Sequence, residues 1–396
     1  MNFLRAFERT VRVHADDTAL VTDDEGPKTY AEFDRRSTKL AKASFDRVGD
    51  APLAILTRNT SAAAEAMITG HKRGSPTVQL PFREKSDEIT SMLDVADAEI
   101  LVFDDANTDT ALQVLDEGPV ELGIHAGDRH VDVPEVESYS DVLAETPTTM
   151  PPELPRDGAA GVFYTSGTTK EPKAVAFNSE QLWNGAYQVV MEHGIDHTDR
   201  AIVTTPWYHM ATTDAWLYPH WLAGATTFLH VDFDPENVLG QIEDCAVTGL
   251  LAVPTQLSIL TETQATADTP FDTNSLEYIR STGAMLPEAL VSRTRKLLSE
   301  KLYNSYGLTE GGPNLTFAHP SAQTDHPGTI GNESFSWDVR VVEMVPFASV
   351  PDPEATVGPG GQGEIIARGP GVPDGCFRIG YGCEWNHFDD ANIPGE

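Results

Sequence analysis

The chain has 396 residues and a hydrophobic content of 40%, which is enough to bury more than one core and predicts two or three compact units. Its 61 acidic and 27 basic residues give a formal charge of −34. Such a charge would repel nucleic acids and anionic lipids, so neither is expected as a partner. The acidic excess is typical of a solvated surface adapted to high salt, where screening weakens self-repulsion.

The cysteine content and the N-terminal sequence indicate the cellular compartment in which the protein is expected. Three cysteines, Cys245, Cys376 and Cys383, are too few and too scattered for a disulfide framework or a four-ligand zinc site. The first ten residues, MNFLRAFERT, carry charge and lack a long apolar run, which is untypical of a signal peptide. No window reaches the roughly 18 apolar residues of a membrane span. We therefore expect a cytoplasmic protein in a reducing environment.

Between Thr29 and Asp105 the chain alternates apolar runs such as PLAIL and ILVF with helical stretches such as SAAAEAMITGHKRG. This alternation predicts a mainly parallel sheet with flanking helices. From Val131 to Asp157 the sequence is acidic and rich in proline, which favours an exposed connection. We therefore predict a first α/β subdomain over residues 1–157 that ends with this connection.

A second α/β subdomain is predicted over residues 158–327. A strand, GVFY, precedes a hydroxyl-rich loop, and Ser179 is a candidate cap for the helix that follows. Asp234 and Pro235 are typical of another helix start. Beyond Pro327 short β-like runs are separated by glycine and proline, which predicts a β-rich subdomain over residues 328–396, built as a small distorted barrel or antiparallel sheet.

The segment from Tyr164 to Val175 has the features of a phosphate-binding loop. A strand leads into hydroxyl groups and backbone amides, and Lys173 can supply a point charge to a polyphosphate. The phosphate loop of kinase-like NTPases is a poorer match, because there Ser or Thr follows the lysine and here Ala174 does. The candidate nucleotide-binding residues of this loop are Thr165, Ser166, Gly167, Thr168, Thr169 and Lys173.

A second chemistry-bearing segment is NSYGLTEGG, about 140 residues later. A carboxylate beside a hydroxyl at a strand end, as in Glu310 and Thr309, can hold Mg²⁺ against phosphate oxygens. Between the two segments lies STGAML, where Gly283 and Ala284 would let the backbone pass close to a flat ring. Upstream, TTPWYHMATTDAW places His209 among aromatic residues that could form an apolar slot.

These segments resemble those of the adenylate-forming superfamily of acyl-CoA synthetases, amino-acid-activating domains and luciferases. The family loop reads YTSGTTGxPKGV, and this chain departs from it at Lys170 and Ala174. NSYGLTEGG is similar to the family's YGxTE motif, and PWYH to its PLFHxxG region. The resemblance covers almost the whole chain. It implies the large N-terminal α/β domain of such an enzyme, with two mainly parallel sheets, flanking helices and a small distorted β-barrel.

The resemblance also implies roles for individual residues. Glu310 would bind the metal, Thr309 the phosphate, and Tyr306 with Gly307 would pack near the adenine. Gly283 and Ala284 would contact the adenine and the acyl group, and His209 would lie near the acyl site. Lys173, Thr309, Glu310 and His209 are the candidate catalytic residues.

The family's RTGD motif, whose aspartate binds the ribose hydroxyls, has no match here. One alignment places DGCFRIGY on it, with Tyr381 in place of the aspartate. The other, which we favour, takes GYGCEWNHFDDANIPGE as the approach to the motif. In both, we expect the small C-terminal domain, with its adenylation lysine, to be absent.

Two functions are open at this point. The first is an AMP-forming acid–CoA ligase that uses ATP, Mg²⁺ and CoA with a small-molecule carboxylic acid, a fatty or aryl acid rather than an amino acid. The second is a catalytically impaired nucleotide-binding or interaction protein, suggested by Lys170 and Ala174. The sequence does not determine the oligomeric state.

Overall fold

In this computed structural model, the described residues are 1–149, 158–165, 173–346, 351–372, 376–378 and 391–392. Elements up to residue 145 are α1 Phe3–Val13, β1 Thr18–Thr22, β2 Gly26–Thr29, α2 Tyr30–Val48, β3 Leu53–Leu56, α3 Ser61–Arg73, β4 Thr77–Gln79, α4 Ser86–Ala96, β5 Ile100–Asp104, α5 Thr108–Glu117, β6 Leu122–Ala126, β7 Val136–Ser138 and α6 Tyr139–Glu145. The next elements are β8 Ala159–Thr165, β9 Lys173–Asn178, α7 Ser179–His193, β10 Arg200–Val203, α8 Met210–Thr212, a π-helical turn Thr213–Leu217, α9 Tyr218–Ala223, β11 Thr226–Leu229, α10 Pro235–Cys245, β12 Gly249–Leu251 and α11 Pro254–Thr266. The last are β13 Tyr278–Ser281, α12 Glu288–Leu297, β14 Leu302–Leu308, a 3₁₀ turn Thr309–Gly311, β15 Gly312–Ala318, α13 Pro320–Asp325, β16 Asn332–Glu333, β17 Asp338–Val342, β18 Glu364–Arg368, β19 Cys376–Arg378 and β20 Ala391–Asn392.

Two large, mainly parallel sheets organise these elements, which confirms the predicted fold class. The first has the order β19-β9-β8-β4-β3-β5-β6-β7, and the second has the order β16-β15-β14-β13-β12-β10-β11-β1-β2. A third sheet, β17-β18-β20, is antiparallel. The short strands predicted in DVRVVEMV and GEIIARG are therefore present as β17 and β18.

Alternating burial along the strands places helices on both faces of each large sheet. In β3, Leu53 and Ile55 belong to a core cluster shared by both sheets, whereas Ala54 and Leu56 face a second cluster with α4 and α5. In β10, Ile202 faces a third cluster with α10, α11 and α12. Because successive side chains point to opposite faces, each strand serves two cores. The shared layer contains residues of α1, α2, α3, α7 and α9.

The sheets do not follow the subdomain boundary predicted at residue 157. Strands β8 and β9 belong to the first sheet, where β8 pairs with β4, and β1 joins the second sheet by pairing with β11. The predicted connection also contains β7 and α6, and Tyr139 of α6 is buried. Strands from both predicted subdomains therefore share each large sheet.

The structure confirms one of the two predicted helix caps. Asp234 caps α10, with its Oδ1 accepting a hydrogen bond from the Asn237 backbone N–H at 2.8 Å, as the sequence predicted. In α7 the cap is Asn178 rather than Ser179, because Asn178 and Gln181 form a capping box. Within the described residues, no helix combines the length and the apolar character needed to cross a bilayer.

The buried histidine of α3 gives a prediction of acid sensitivity. The ring of His71 is hydrogen-bonded to Ser179 Oγ at 3.0 Å and to the Tyr218 hydroxyl at 3.3 Å, which ties α3 to α7 and α9. Burial lowers the pKa of His71 to about 3. A group whose pKa is depressed by folding stabilises the native state above its unfolded pKa, about 6.5, and loses that contribution as the pH falls.

The imidazole of His71 takes up a proton in the unfolded state but not in the folded state. We therefore expect it to lower the free energy of unfolding by about 1.4 kcal/mol for each pH unit below about pH 6.5. Urea unfolding of the wild type and His71→Gln between about pH 7 and pH 5 measures this slope, which should be shallower in the variant. Exposed His130→Gln is the matched control and should leave the slope unchanged. Equal slopes in the wild type and His71→Gln would contradict the assignment.

Candidate active site

The carboxyl edges of the two large sheets meet, and the predicted site segments lie at this junction. Asn59, just after β3, binds the segments that follow β10 and β11 in the other sheet. Its Nδ2 donates to the carbonyls of Thr205 and His230, both at 3.0 Å, and its Oδ1 accepts from the Trp207 N–H at 3.0 Å. Ligand sites of open α/β sheets lie at such strand ends.

The two ends of the predicted phosphate loop lie side by side. Thr165 is the last residue of β8 and Lys173 the first of β9, and the two are direct partners in the antiparallel ladder. The Thr165 Oγ1 is buried and has no hydrogen-bond partner among the described residues. A buried hydroxyl without a partner is unfavourable unless a ligand satisfies it. The loop residues Ser166, Gly167, Thr168, Thr169 and Lys170 lie outside the described residues.

The strands that carry this loop are firmly held. Tyr164 donates a hydrogen bond from its hydroxyl to the Met92 carbonyl in α4, and burial raises its pKa. Ala174, which stands where the family has glycine, is fully buried in β9 opposite Tyr164. A regular strand position accommodates a methyl group, so Ala174 leaves the strand geometry intact.

The YGLTE segment occupies the end of β14 and the turn after it. Tyr306 and Gly307 lie in β14, where the pairing with β15 is irregular between Tyr306 and Leu308. Thr309 and Glu310 form the 3₁₀ turn and are half-buried. Cα atoms of this turn come within 8 Å of those in β8, so the carboxylate segment of one sheet lies beside the phosphate-loop strand of the other.

The STGAML loop follows β13, which is parallel to β14 and adjacent to it, so it lies at the same edge. Gly283 and Ala284 are exposed, and Gly283 has a φ of +82°, a conformation that favours glycine. The Thr282 hydroxyl donates to the Ser305 carbonyl at 3.0 Å. This bond, which the sequence did not indicate, fixes the loop against the YGLTE strand.

His209 lies at the same edge, after β10, which is separated from β13 by β12. It is the exposed residue before the short helix α8, and its ring centroid is 4.3 Å from that of Tyr208. Partial desolvation and the positive charge of Arg83 lower the pKa of His209. A neutral imidazole is therefore the expected form near pH 7.

The aromatic slot predicted around His209 is only partly present. Trp207 and Trp216 are fully buried, and their indole N–H groups donate to the carbonyls of Thr57 at 2.7 Å and Ile202 at 3.0 Å. Both tryptophans are core residues, because each indole is fully buried and its N–H already donates a hydrogen bond within the protein. Tyr208, in contact with Phe82, is the half-buried aromatic residue beside the histidine.

Sequence reasoning missed a fully buried arginine that joins three site segments. Arg280 in β13 donates from Nε to Ser305 Oγ at 2.9 Å, from Nη1 to the Ala215 carbonyl at 2.7 Å and from Nη2 to Asn314 Oδ1 at 2.6 Å. Burial lowers its pKa to about 9, against the opposing effect of Asp214. The available signal was a charged residue directly after Tyr278 and Ile279 in a short predicted strand.

A magnesium site at Glu310 fits the residues present. Glu310 is half-buried beside the hydroxyl-bearing Thr309, and within the described part of the chain it forms no ion pair that would neutralise it. Mg²⁺ typically takes one or two carboxylates together with substrate phosphates. No cluster of three or more His, Cys, Asp or Glu ligands occurs among the described residues, so the protein alone supplies few ligands there.

The two sheets and the site between their carboxyl edges define a ligand-binding α/β protein. A model of the family described as AMP-binding enzyme matches residues 7–377. The chain belongs to the AMP-binding enzyme family, which confirms the predicted relationship.

Individual relatives agree with this assignment. A feruloyl-CoA synthase from Amycolatopsis sp. is 30% identical over 364 residues, which are 88% of this chain and 66% of that protein. A long-chain-fatty-acid–CoA ligase from Archaeoglobus fulgidus has a TM-score of 0.85 at 21% identity, covering 97% of this chain and 78% of that one. The o-succinylbenzoate CoA synthetase of Bacillus subtilis, solved with an acyl-adenylate intermediate, has a TM-score of 0.81 at 21% identity, with 99% and 75% covered. The chain thus spans just under two thirds of the feruloyl-CoA synthase.

Proposed function

We propose that this chain activates a small-molecule carboxylic acid with ATP, forming an acyl-adenylate and pyrophosphate, and that the acyl group then passes to the thiol of CoA. The observation that carries the proposal is that the Thr309–Gly311 turn lies close to β8. The last residue of β8, Thr165, has Lys173 as its ladder partner, and its buried hydroxyl has no hydrogen-bond partner within the described parts of the chain. Hydroxyl, ammonium and carboxylate groups at one junction suit a metal-bound polyphosphate.

The chemistry of the first step needs charge stabilisation rather than a protein nucleophile. A substrate carboxylate oxygen forms a bond to the α-phosphorus while the bond to the bridging oxygen breaks, and pyrophosphate leaves. Lys173 and the Thr165 hydroxyl would offset negative charge on the phosphates, and Thr309 would orient them. Glu310 would hold Mg²⁺, which supplies Lewis-acid stabilisation of the phosphate charge.

The acid would enter beside His209. The neutral ring of His209 can form a hydrogen bond to the acid without adding charge. Arg83, whose positive charge lowers the pKa of His209, supplies a cation at the same edge of the site. Exposed Gly283 and Ala284, which follow β13 at the same edge, would leave room for the flat adenine and the acyl group. The feruloyl- and fatty-acid–CoA relatives support an aryl or fatty acid as the substrate class.

The proposal is tested by ATP–pyrophosphate exchange with a panel of aliphatic and aryl acids. We expect label to enter ATP only when an acid and Mg²⁺ are present. Calorimetric titration with ATP runs in parallel. Binding of ATP without exchange on any acid, even after a C-terminal domain of a relative is supplied in trans, would contradict acid activation and support a nucleotide-binding protein without turnover.

A further inference from the structure

A pocket lies at the amino edge of the second sheet, away from the candidate active site. It has a volume of about 730 Å³, and its walls come from α12, α13 and the segments that lead into β13 and β14. The same two strands end, at their other edge, in the STGAML loop and the YGLTE turn. Strand β14 has seven residues, so roughly 20 Å separate the pocket from that turn. The pocket is therefore distinct from the candidate active site.

The pocket is a basic region of a strongly acidic chain. Three cations, Arg295, Lys296 and Lys301, and one carboxylate, Glu300, line it, whereas acidic residues outnumber basic ones by 61 to 27 in the whole sequence. Lys301 is paired with Glu277, which neutralises its charge. Arg295 and Lys296 form no ion pair or hydrogen bond with the described residues. These two cations are therefore available to an anion in the pocket.

The arrangement of Arg295 calls for an acceptor that the described residues do not supply. Its Nε is shielded from solvent and has no hydrogen-bond partner among them. Arg295 and Lys296 lie in the last turn of α12, where cations interact favourably with the helix dipole. That interaction accounts for the two charges but requires no buried, unbonded Nε. Because a buried donor without a partner is costly, a ligand that accepts from Arg295 would be favoured.

The free donors of the pocket are brought together by one helix face. Ser292, Arg295 and Lys296 all line the pocket, and residues three and four positions apart are neighbours on a helix. The hydroxyl of Ser292 makes no hydrogen bond with the described residues. Asn274, from the segment before β13, lines the pocket as well. Guanidinium, ammonium and hydroxyl groups on one face are the donors that suit phosphate oxygens.

The floor and the charge of the pocket define the class of ligand. Leu276, Val291 and Leu298 are buried apolar residues that line it. The volume lies within the range of roughly 300–1,000 Å³ that is typical of small-molecule sites. A phosphate monoester carries a charge of about −1.5 to −2 near pH 7, which matches two free cations better than the single charge of a carboxylate. An apolar group on the same ligand would cover the floor.

We propose that this pocket binds a phosphate monoester of a small aryl or alkyl alcohol. The phosphate accepts hydrogen bonds from Arg295, Lys296 and Ser292, and the apolar group packs against the floor. This inference goes beyond the proposed acid activation and does not depend on it, because the pocket and the candidate active site lie at opposite edges of the sheet.

Calorimetric titration of the chain with phenyl phosphate, in a phosphate-free buffer at fixed KCl, tests the proposal. We expect saturable binding, and weaker binding of phenyl sulfate, which has a similar shape but a single charge. Arg295→Gln keeps hydrogen-bond donors but loses the charge, and should raise the Kd for phenyl phosphate by about 10- to 100-fold, the worth of hydrogen bonds to a charged group. Lys296→Gln should raise the Kd less, because Lys296 is exposed.

The matched control is Arg293→Gln, which should leave the Kd unchanged. Arg293 lies on the same helix but pairs with Glu262 and does not line the pocket. Phenyl phosphate can also enter the predicted phosphate loop, so every titration is repeated in a Lys173→Met background. Binding that persists in this background and weakens on adding Arg295→Gln supports the proposal.

Three results would overturn the proposal. They are no binding of phenyl phosphate to the wild type, binding that disappears in Lys173→Met, and equal Kd values in the wild type, Arg295→Gln and Lys296→Gln. If circular dichroism shows that Arg295→Gln does not fold, Lys296→Gln decides, because its exposed side chain is not part of the core. None of these results requires ATP–pyrophosphate exchange, so the failure of this inference is distinguishable from the failure of the proposed function.

Discussion

Replacement of Arg280 by methionine is expected to lower the free energy of unfolding by about 3–5 kcal/mol, the usual cost of breaking a buried charged network. Methionine has a similar length but no donors, so Ser305 Oγ, Asn314 Oδ1 and the Ala215 carbonyl would each lose a partner. Buried groups left without partners bear the full cost of desolvation. Urea unfolding followed by circular dichroism measures the change.

The control for this experiment is Arg293→Met. Arg293 lies on α12 and pairs with Glu262, of which 61% is exposed, so the expected loss is below about 1 kcal/mol. A double variant that adds Asp214→Leu to Arg280→Met tests whether the two buried charges are coupled. If Arg280→Met unfolds at the same urea concentration as Arg293→Met, the network does not stabilise the site segments.

Replacement of Lys173 by methionine is expected to reduce ATP–pyrophosphate exchange by about 100- to 1,000-fold, the typical loss for one group that stabilises developing charge. The fold should be unaffected, because Lys173 is a half-buried residue at the first position of β9. Lys301→Met is the matched control. Lys301 lies at the opposite, amino end of β14 and pairs with Glu277.

The variant Glu310→Gln distinguishes the metal-binding role proposed for Glu310 from the charge-stabilising role proposed for Lys173. The amide keeps the size of the side chain but loses the charge, so exchange should fall and the Mg²⁺ concentration for half-maximal exchange should rise. Lys173→Met should leave that Mg²⁺ concentration nearly unchanged. If Lys173→Met retains full exchange, or if Glu310→Gln shows no change in its Mg²⁺ requirement, the assigned roles are wrong.

Local sequence patterns predicted much of the fold and the position of the site. The alternation of apolar strands and helices indicated mainly parallel sheet structure with flanking helices, whereas the number of sheets came from the family resemblance. Asp234 predicted a helix start that the structure confirms. The residues of YGLTE were correctly expected at a strand end, because glycine and hydroxyl residues that follow an apolar strand are a local signal. The roles of Lys173, Glu310 and His209 remain predictions.

The pairing of distant strands could not be predicted in the same way. Strand β1 joins the second sheet through β11, more than 200 residues later, and β8 enters the first sheet beside β4. Periodicity identifies which face of a strand is buried but not which strand lies next to it. The same limit explains why Arg280 was missed, since its importance depends on partners brought together by tertiary packing.

The transfer of a heavy-oxygen label tests the central claim most directly. A carboxylic acid labelled with ¹⁸O in its carboxylate is incubated with the protein, ATP and Mg²⁺, and hydroxylamine is added to capture the activated acyl group. Attack of the carboxylate on the α-phosphorus predicts AMP that carries one ¹⁸O atom, together with the acyl hydroxamate, by mass spectrometry. Unlabelled AMP, or ¹⁸O in inorganic phosphate with ADP as the nucleotide product, would contradict adenylate formation by this chain.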